Sequence, residues 1–181
     1  MKLLARDRVE LGAKILAIVG GLFAIWQYFA DASDAKELEK RRQALTYVQA
    51  YGATDLSEHR RIMFEFWLRH SDLLQVAKSQ GVSESAYRAF FFTALEHDAG
   101  GKPMLNALYA LSNFYDQLAF CRSSKVCDRE IIDQYFCAGA RTFGETYGPI
   151  SGRLAELSGV SDFGRGAKEI AESCEPPSRA S

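Results

Sequence analysis

The side chains with the means to do chemistry are three histidines (His59, His70, His97), four cysteines (Cys121, Cys127, Cys137, Cys174) and a run of carboxylates between residues 116 and 133. The histidines and cysteines hold enough donor atoms for a metal site, but their spacing matches no established ligand constellation. His59 and His70 fall on the apolar stripe of one predicted helix, where packing with one polar tip exposed or hydrogen-bonded is the plain expectation, and His97 stands beside Asp98 at a helix end that it can cap or solvate. Cys121 and Cys127 bracket a short turn and can form a disulfide if the domain is exported and their side-chain vectors converge; in a cytoplasmic domain they are expected to be reduced. Cys137 follows Phe136 as a core residue and Cys174 lies near the tail, and neither has an evident histidine and acid to activate it as a nucleophile.

Asp116, Asp128, Glu130 and Asp133 form an acidic patch around a central turn. Cation binding or proton transfer would need a defined separation and orientation of these groups. Capping by Asp128 and Glu130 at a helix start is the simpler role, because negative charge is favoured there, and a charged surface for a protein partner is the second. No glycine-rich phosphate cradle or nucleophile elbow occurs. The residues therefore name no catalytic group, no cofactor and no metal, and the reading leans away from an enzyme.

The elements that must position these residues follow from composition and periodicity. In 181 residues, 48% are hydrophobic, 12% aromatic and 25% charged, and there are only four prolines, which fits one folded domain of about 150 residues plus a further segment. A net charge of -1, from 22 basic and 23 acidic side chains, gives no reason to expect a nucleic-acid partner. Lys40, Arg41 and Arg42 make a short basic group, read either as a solvated helix face or as a contact for anionic headgroups.

Residues 11–30 form the main apolar stretch, with ILAIVGGLFAIW from Ile15 to Trp26 free of polar side chains and Trp26 and Tyr28 placed as interfacial rings. A single N-terminal transmembrane helix is the leading expectation, with a lipid bilayer as its partner. A cleaved signal, suggested by Lys2, Arg6, Arg8 and Ala30-Asp31-Ala32, and a buried helix are the alternatives. Basic residues number four on each side (Lys2, Arg6, Arg8, Lys14 against Lys36, Lys40, Arg41, Arg42), so charge does not set orientation.

Beyond this stretch the sequence reads as all-α: an anchor and flank over 1–32, a compact helical bundle over 33–172 and a flexible tail over 173–181. Helices are expected from Ala35 to Tyr51, ending at Gly52; from Asp55 to about Lys78, with Met63, Phe66, Trp67 and Leu74 on the buried face; from Val82 to Leu95; and from Pro103 with Leu105, Leu108, Leu111, Tyr115 and Leu118 inward. A helix after Asp128 uses Ile131, Ile132, Tyr135 and Phe136, and the next is bent or divided by Pro149. Gly144, Gly148 and Gly152 recur every fourth residue and predict a close helix approach within the chain, with an oligomer seam as the alternative.

The stretch from Leu111 to Phe136 resembles the central motif of a poorly characterised bacterial family of small membrane-associated helical domains of unknown function, carried by Asn113, Phe114, Tyr115, Asp116, Arg122, Asp128, Glu130, Tyr135 and Phe136. The family's usual glycine in the basic turn is replaced here by Ser123, Ser124 and Lys125. The resemblance implies a single-span protein at an inner or plasma membrane, with the domain facing the cytoplasm, and transfers no catalytic residue. Together these readings describe a membrane-tethered interaction or regulatory module with a protein partner of unknown identity. A membrane-associated enzyme acting on a lipid or small solute, and an exported disulfide-containing helical protein, are the alternatives.

Overall fold

The computed structural model describes the backbone of residues 2–71, 83–159 and 162–174, and side chains from residue 19 onward. It divides into a unit of residues 1–40 and a unit of residues 41–181. The first helix, α1 (Lys2–Gly52), continues from one into the other. Then come α2 (Thr54–Arg69), α3 (Glu84–His97), α4 (Gly101–Ser123), α5 (Arg129–Tyr147), a 3-10 turn (Gly148–Ile150), α6 (Ser151–Ser158) and α7 (Arg165–Ser173).

Within the first unit, the described side chains Val19, Leu22, Phe23, Ile25, Trp26, Tyr28 and Phe29 are all exposed. The expected transmembrane anchor is overturned: among the described residues no helix is long and apolar enough to cross a membrane. The stretch passes directly into Asp31, Asp34, Lys36 and Glu37. The part of the anchor expected over residues 11–18 lies outside the described side chains. The lipid bilayer as partner, the single-pass location and the tethered module fall with the anchor.

The second unit is an all-α bundle built around α4. Met104, Leu108, Leu111, Tyr115 and Leu118 recur at helical spacing on the inward face of α4 and are almost wholly buried. Its start differs by two residues from the expectation at Pro103, since Gly101 already belongs to the helix. The C-terminal part of α1 lays Ala44, Tyr47 and Tyr51 against this core, with the Tyr51 ring edge-on to Phe136 at 5.4 Å. Phe66 of α2 and Phe91 of α3 are fully buried and meet at 5.9 Å, and each also contacts Trp67. Truncating such a buried aromatic costs about 3–5 kcal/mol.

Local chemistry explains where the helices begin and end. The Ser83 hydroxyl accepts the Ala86 amide at the start of α3. Asp128 accepts from the amides of Glu130 (2.9 Å) and Ile131 (3.3 Å) at the start of α5, as its place in the sequence predicted. Pro149 does divide the chain: α5 gives way to the 3-10 turn before α6. The chain turns into α7 at Gly164, whose φ of +79° is open to glycine at little cost, and the Gly164 amide donates to the buried Ser112 hydroxyl. Two residues later, Gly166 brings the backbone of α7 directly onto α4. A Cβ there would stand 2.4 Å from the Tyr115 carbonyl oxygen and 2.5 Å from Asp116 Cα.

All four cysteines are joined, Cys121 to Cys127 across the α4–α5 turn and Cys137 to Cys174 between α5 and the end of α7. Cys174, expected at the edge of a loose tail, is buried. The remainder of the expected tail, with Pro176 and Pro177, lies outside the described residues, as do Leu74 and Lys78. The glycines at 144, 148 and 152 have no neighbour within 4 Å of a Cβ position, so they do not mediate the close approach predicted for them. Their faces are open because they line a surface groove beside α7.

Candidate functional site

The structure spends most of the acidic patch on internal contacts. Asp133 binds the Arg122 guanidinium through both oxygens (2.7 and 3.0 Å) and also meets Arg129 at 3.2 Å. Asp128 caps α5 and lies 3.4 Å from Arg41. Asp116 is half-buried and accepts the Gly166 amide at 2.7 Å; burial pushes its carboxyl above the ordinary carboxylate range, against the pull of that amide. Glu130 alone of the four side chains is exposed. Asp133 ties α5 to α4 and Asp116 ties α4 to α7, so these two acids are engaged inside the bundle.

The Asp133 carboxylate and the sulfurs of Cys137 and Cys174 lie within 4.8 Å of one another, a donor set that could hold a metal were the sulfurs thiolates. They are bonded to each other, and Asp133 is held by Arg122. A second polar cluster pins the end of α2 to the α3–α4 turn. Asp98 accepts from Arg69 (2.9 and 3.1 Å), from the Gly100 amide (2.6 Å) and contacts His70 Nε2 at 2.9 Å. The Arg69 hydrogen bond, aided by the Gly100 amide, lowers the Asp98 carboxyl to about 2. The His70 ring packs 4.7 Å from Phe66, so the histidine does combine apolar packing with one bonded tip.

The arrangement best suited to receive another molecule is a groove between α2 and α5, floored by Tyr51 of α1 and by Leu111 and Tyr115 of α4. Its volume is about 750 Å³, within the range of small-molecule sites. The stripe Arg60, Met63, Phe64, Trp67, Leu68 and Ser71 supplies one wall, because i, i+3, i+4 and i+7 share a helix face. Phe143, Thr142, Gly139 and Tyr147 supply the other. The Trp67 indole donates to the Tyr147 hydroxyl at 2.7 Å, fixing the two walls to each other. Phe64 and Leu68 stand exposed at the rim, 67% and 62% accessible.

One end of the groove is polar. The Arg60 guanidinium lies 4.1 Å from the centre of the Tyr51 ring. Arg60 Nε is buried without a hydrogen-bond partner. The hydroxyls of Tyr115 and Tyr51 come within 2.8 and 3.8 Å of the Cβ position at Gly139. Burial, then the neighbouring Tyr51, raises the Tyr115 phenol well above its ordinary value, so it stays neutral and can donate. The second groove, about 640 Å³ between α5, α6 and α7, carries mixed charges that are largely paired, Arg165 with Glu169 at 2.7 Å and Lys168 with Glu172 at 3.8 Å.

The sequence showed the α2 stripe as packing surface and singled out Met63 and Trp67, but it did not pick Arg60 as a site residue. The signal available was a cation at the foot of an apolar stripe whose neighbours four and eight positions on, Phe64 and Leu68, are also large and apolar. No family model matches this chain, and no curated protein or solved structure is significantly similar to it. The resemblance seen in residues 111–136 therefore brings no fold, location or residue role to the site.

Proposed function

We propose that the chain is a disulfide-secured helical binding module that receives a small apolar molecule in the α2–α5 groove and works outside reducing compartments. The observation that carries this reading is the groove itself, a cavity of about 750 Å³ lined by Trp67, Phe143, Met63 and Leu111, with its walls joined by the Trp67–Tyr147 hydrogen bond. The compartment follows from the cysteines: both bridges would be hard to keep where glutathione and thioredoxin reduce thiols. Asp98 and Asp133 are engaged by arginines and Asp116 by a backbone amide.

A neutral solvatochromic dye, Nile red, tests the groove without using charge. Saturable one-site binding is expected, and it should be lost in Leu68→Asp and in Thr142→Trp, two exposed lining positions where a charge or added bulk leaves the core alone. Absence of saturable binding, or equal binding by both variants, overturns the reading. Thiol titration of the unfolded, unreduced chain checks the compartment: no free thiol is expected.

A further inference from the structure

The groove is not uniformly apolar, and its one charged group distinguishes among the molecules that could fill it. We propose that the groove binds a carboxylate with an apolar body, Arg60 holding the carboxylate and the Tyr51 and Tyr115 hydroxyls completing its shell while Trp67, Met63 and Phe143 enclose the hydrocarbon. This rests on the groove being a binding site and adds the class of ligand.

Three observations lead there. First, Arg60 has no acidic partner among the described residues, whereas Arg61, Arg69, Arg88 and Arg122 in the same bundle each face a carboxylate. A guanidinium presents five N–H donors in a planar fork matched to two carboxylate oxygens. Stacking on Tyr51 satisfies its flat face and leaves the edge as the hydrogen-bonding side. The Nε is buried without a partner, so the donors left to a ligand are those of the terminal nitrogens.

Second, the absence of a side chain at Gly139 keeps the polar end accessible. A Cβ at that position would stand 2.8 Å from the Tyr115 hydroxyl and 3.8 Å from the Tyr51 hydroxyl. Two hydroxyls beside one cation favour a singly charged acceptor over a phosphate dianion, for which one arginine is a meagre counter-charge. Third, the remaining lining is apolar along the α2 stripe out to Phe64 and Leu68 at the rim. A molecule with its charge at one end and hydrocarbon at the other meets both conditions.

The test uses the full chain with Trp26→Phe, so that Trp67, which lines the groove, is the only remaining tryptophan. Decanoate and 1-decanol, equal in chain length and opposite in charge character, are titrated below their aggregation limits while Trp67 emission is followed. Decanoate is expected to saturate the signal with a Kd at least tenfold below that of decanol. Arg60→Gln should remove that preference by weakening decanoate about tenfold or more while leaving decanol unchanged, and Arg60→Lys should keep part of it. Thermal melts of each variant show that the fold is intact. If Arg60→Gln does not fold, raising salt in the unsubstituted chain must weaken decanoate selectively, and equal salt response of the two ligands overturns the proposal. Equal affinity for decanoate and decanol overturns the carboxylate assignment while sparing the groove. Failure of both, together with failure of Nile red, removes the groove as well.

Discussion

Replacing Gly166 with alanine probes the tightest contact in the bundle. The added methyl would sit 2.4 Å from the Tyr115 carbonyl oxygen and 2.5 Å from both Asp116 Cα and Asp116 N, all of them backbone atoms of α4 that cannot swing aside. The helix α7 must move outward instead. Overpacking of this kind costs about 1–3 kcal/mol. The displacement also breaks the 2.7 Å hydrogen bond from the Gly166 amide to Asp116, a bond to a charged acceptor with a typical value of about 1.5–3 kcal/mol. Alanine in a helix recovers about 0.5–1 kcal/mol at most, and less in the first turn, where Gly166 lies. The net loss is therefore about 1.5–5.5 kcal/mol. Urea unfolding of the oxidised protein should give this value, with Tm lowered by roughly 2–4 °C per kcal/mol. Asp116→Asn, which retains an acceptor but no charge, should cost less. A Gly166→Ala variant within about 0.5 kcal/mol of the parent would refute the close packing of α7 on α4.

The two disulfides should differ in worth. Sequence separations of 37 and 6 correspond, on the loop-entropy account, to about 4 kcal/mol for Cys137–Cys174 and about 2 kcal/mol for Cys121–Cys127, measurable by urea unfolding of the paired Cys→Ala variants. Asp98 gives a pH signature: its carboxyl, lowered from 3.8 to about 2, contributes stability that is complete above about pH 4 and is lost as pH falls toward 2. The Tm difference between the parent and Asp98→Asn should therefore shrink over that window, and a difference constant with pH would remove the Arg69–Asp98 contact as its cause. Lys125 has φ +60°, where a side chain costs about 1–2 kcal/mol, so Lys125→Gly should be stabilising by up to about 1 kcal/mol after its added chain entropy. Destabilisation on that substitution would mean that the lysine side chain holds the turn.

What the sequence made legible were features set within a few residues of chain. Asp128 stands where a cap must stand, Phe66 and Trp67 fall on a helical period, and Pro149 interrupts a helix for lack of an amide hydrogen. The polar end of the groove was not legible because Tyr51, Arg60, Tyr115 and Gly139 come from four helices, and only packing brings them together. The same distance hid the partnership of Cys137 with Cys174, and it turned three of the four acids, Asp116, Asp128 and Asp133, into separate fastenings. The expected anchor shows the opposite limit, a local pattern of apolar residues taken as a span where no described helix is long and apolar enough to be one.

The Cys137–Cys174 bond also changes what the chain is as a covalent object. Together with the backbone between those residues it closes a ring that contains α6 and α7. A single backbone break anywhere inside that ring therefore releases nothing: the two pieces travel as one molecule of almost unchanged mass until the bond is reduced. Damage to this part of the domain would go unseen on a non-reducing gel and appear as two bands on a reducing one, so the protein can be nicked without shedding α7.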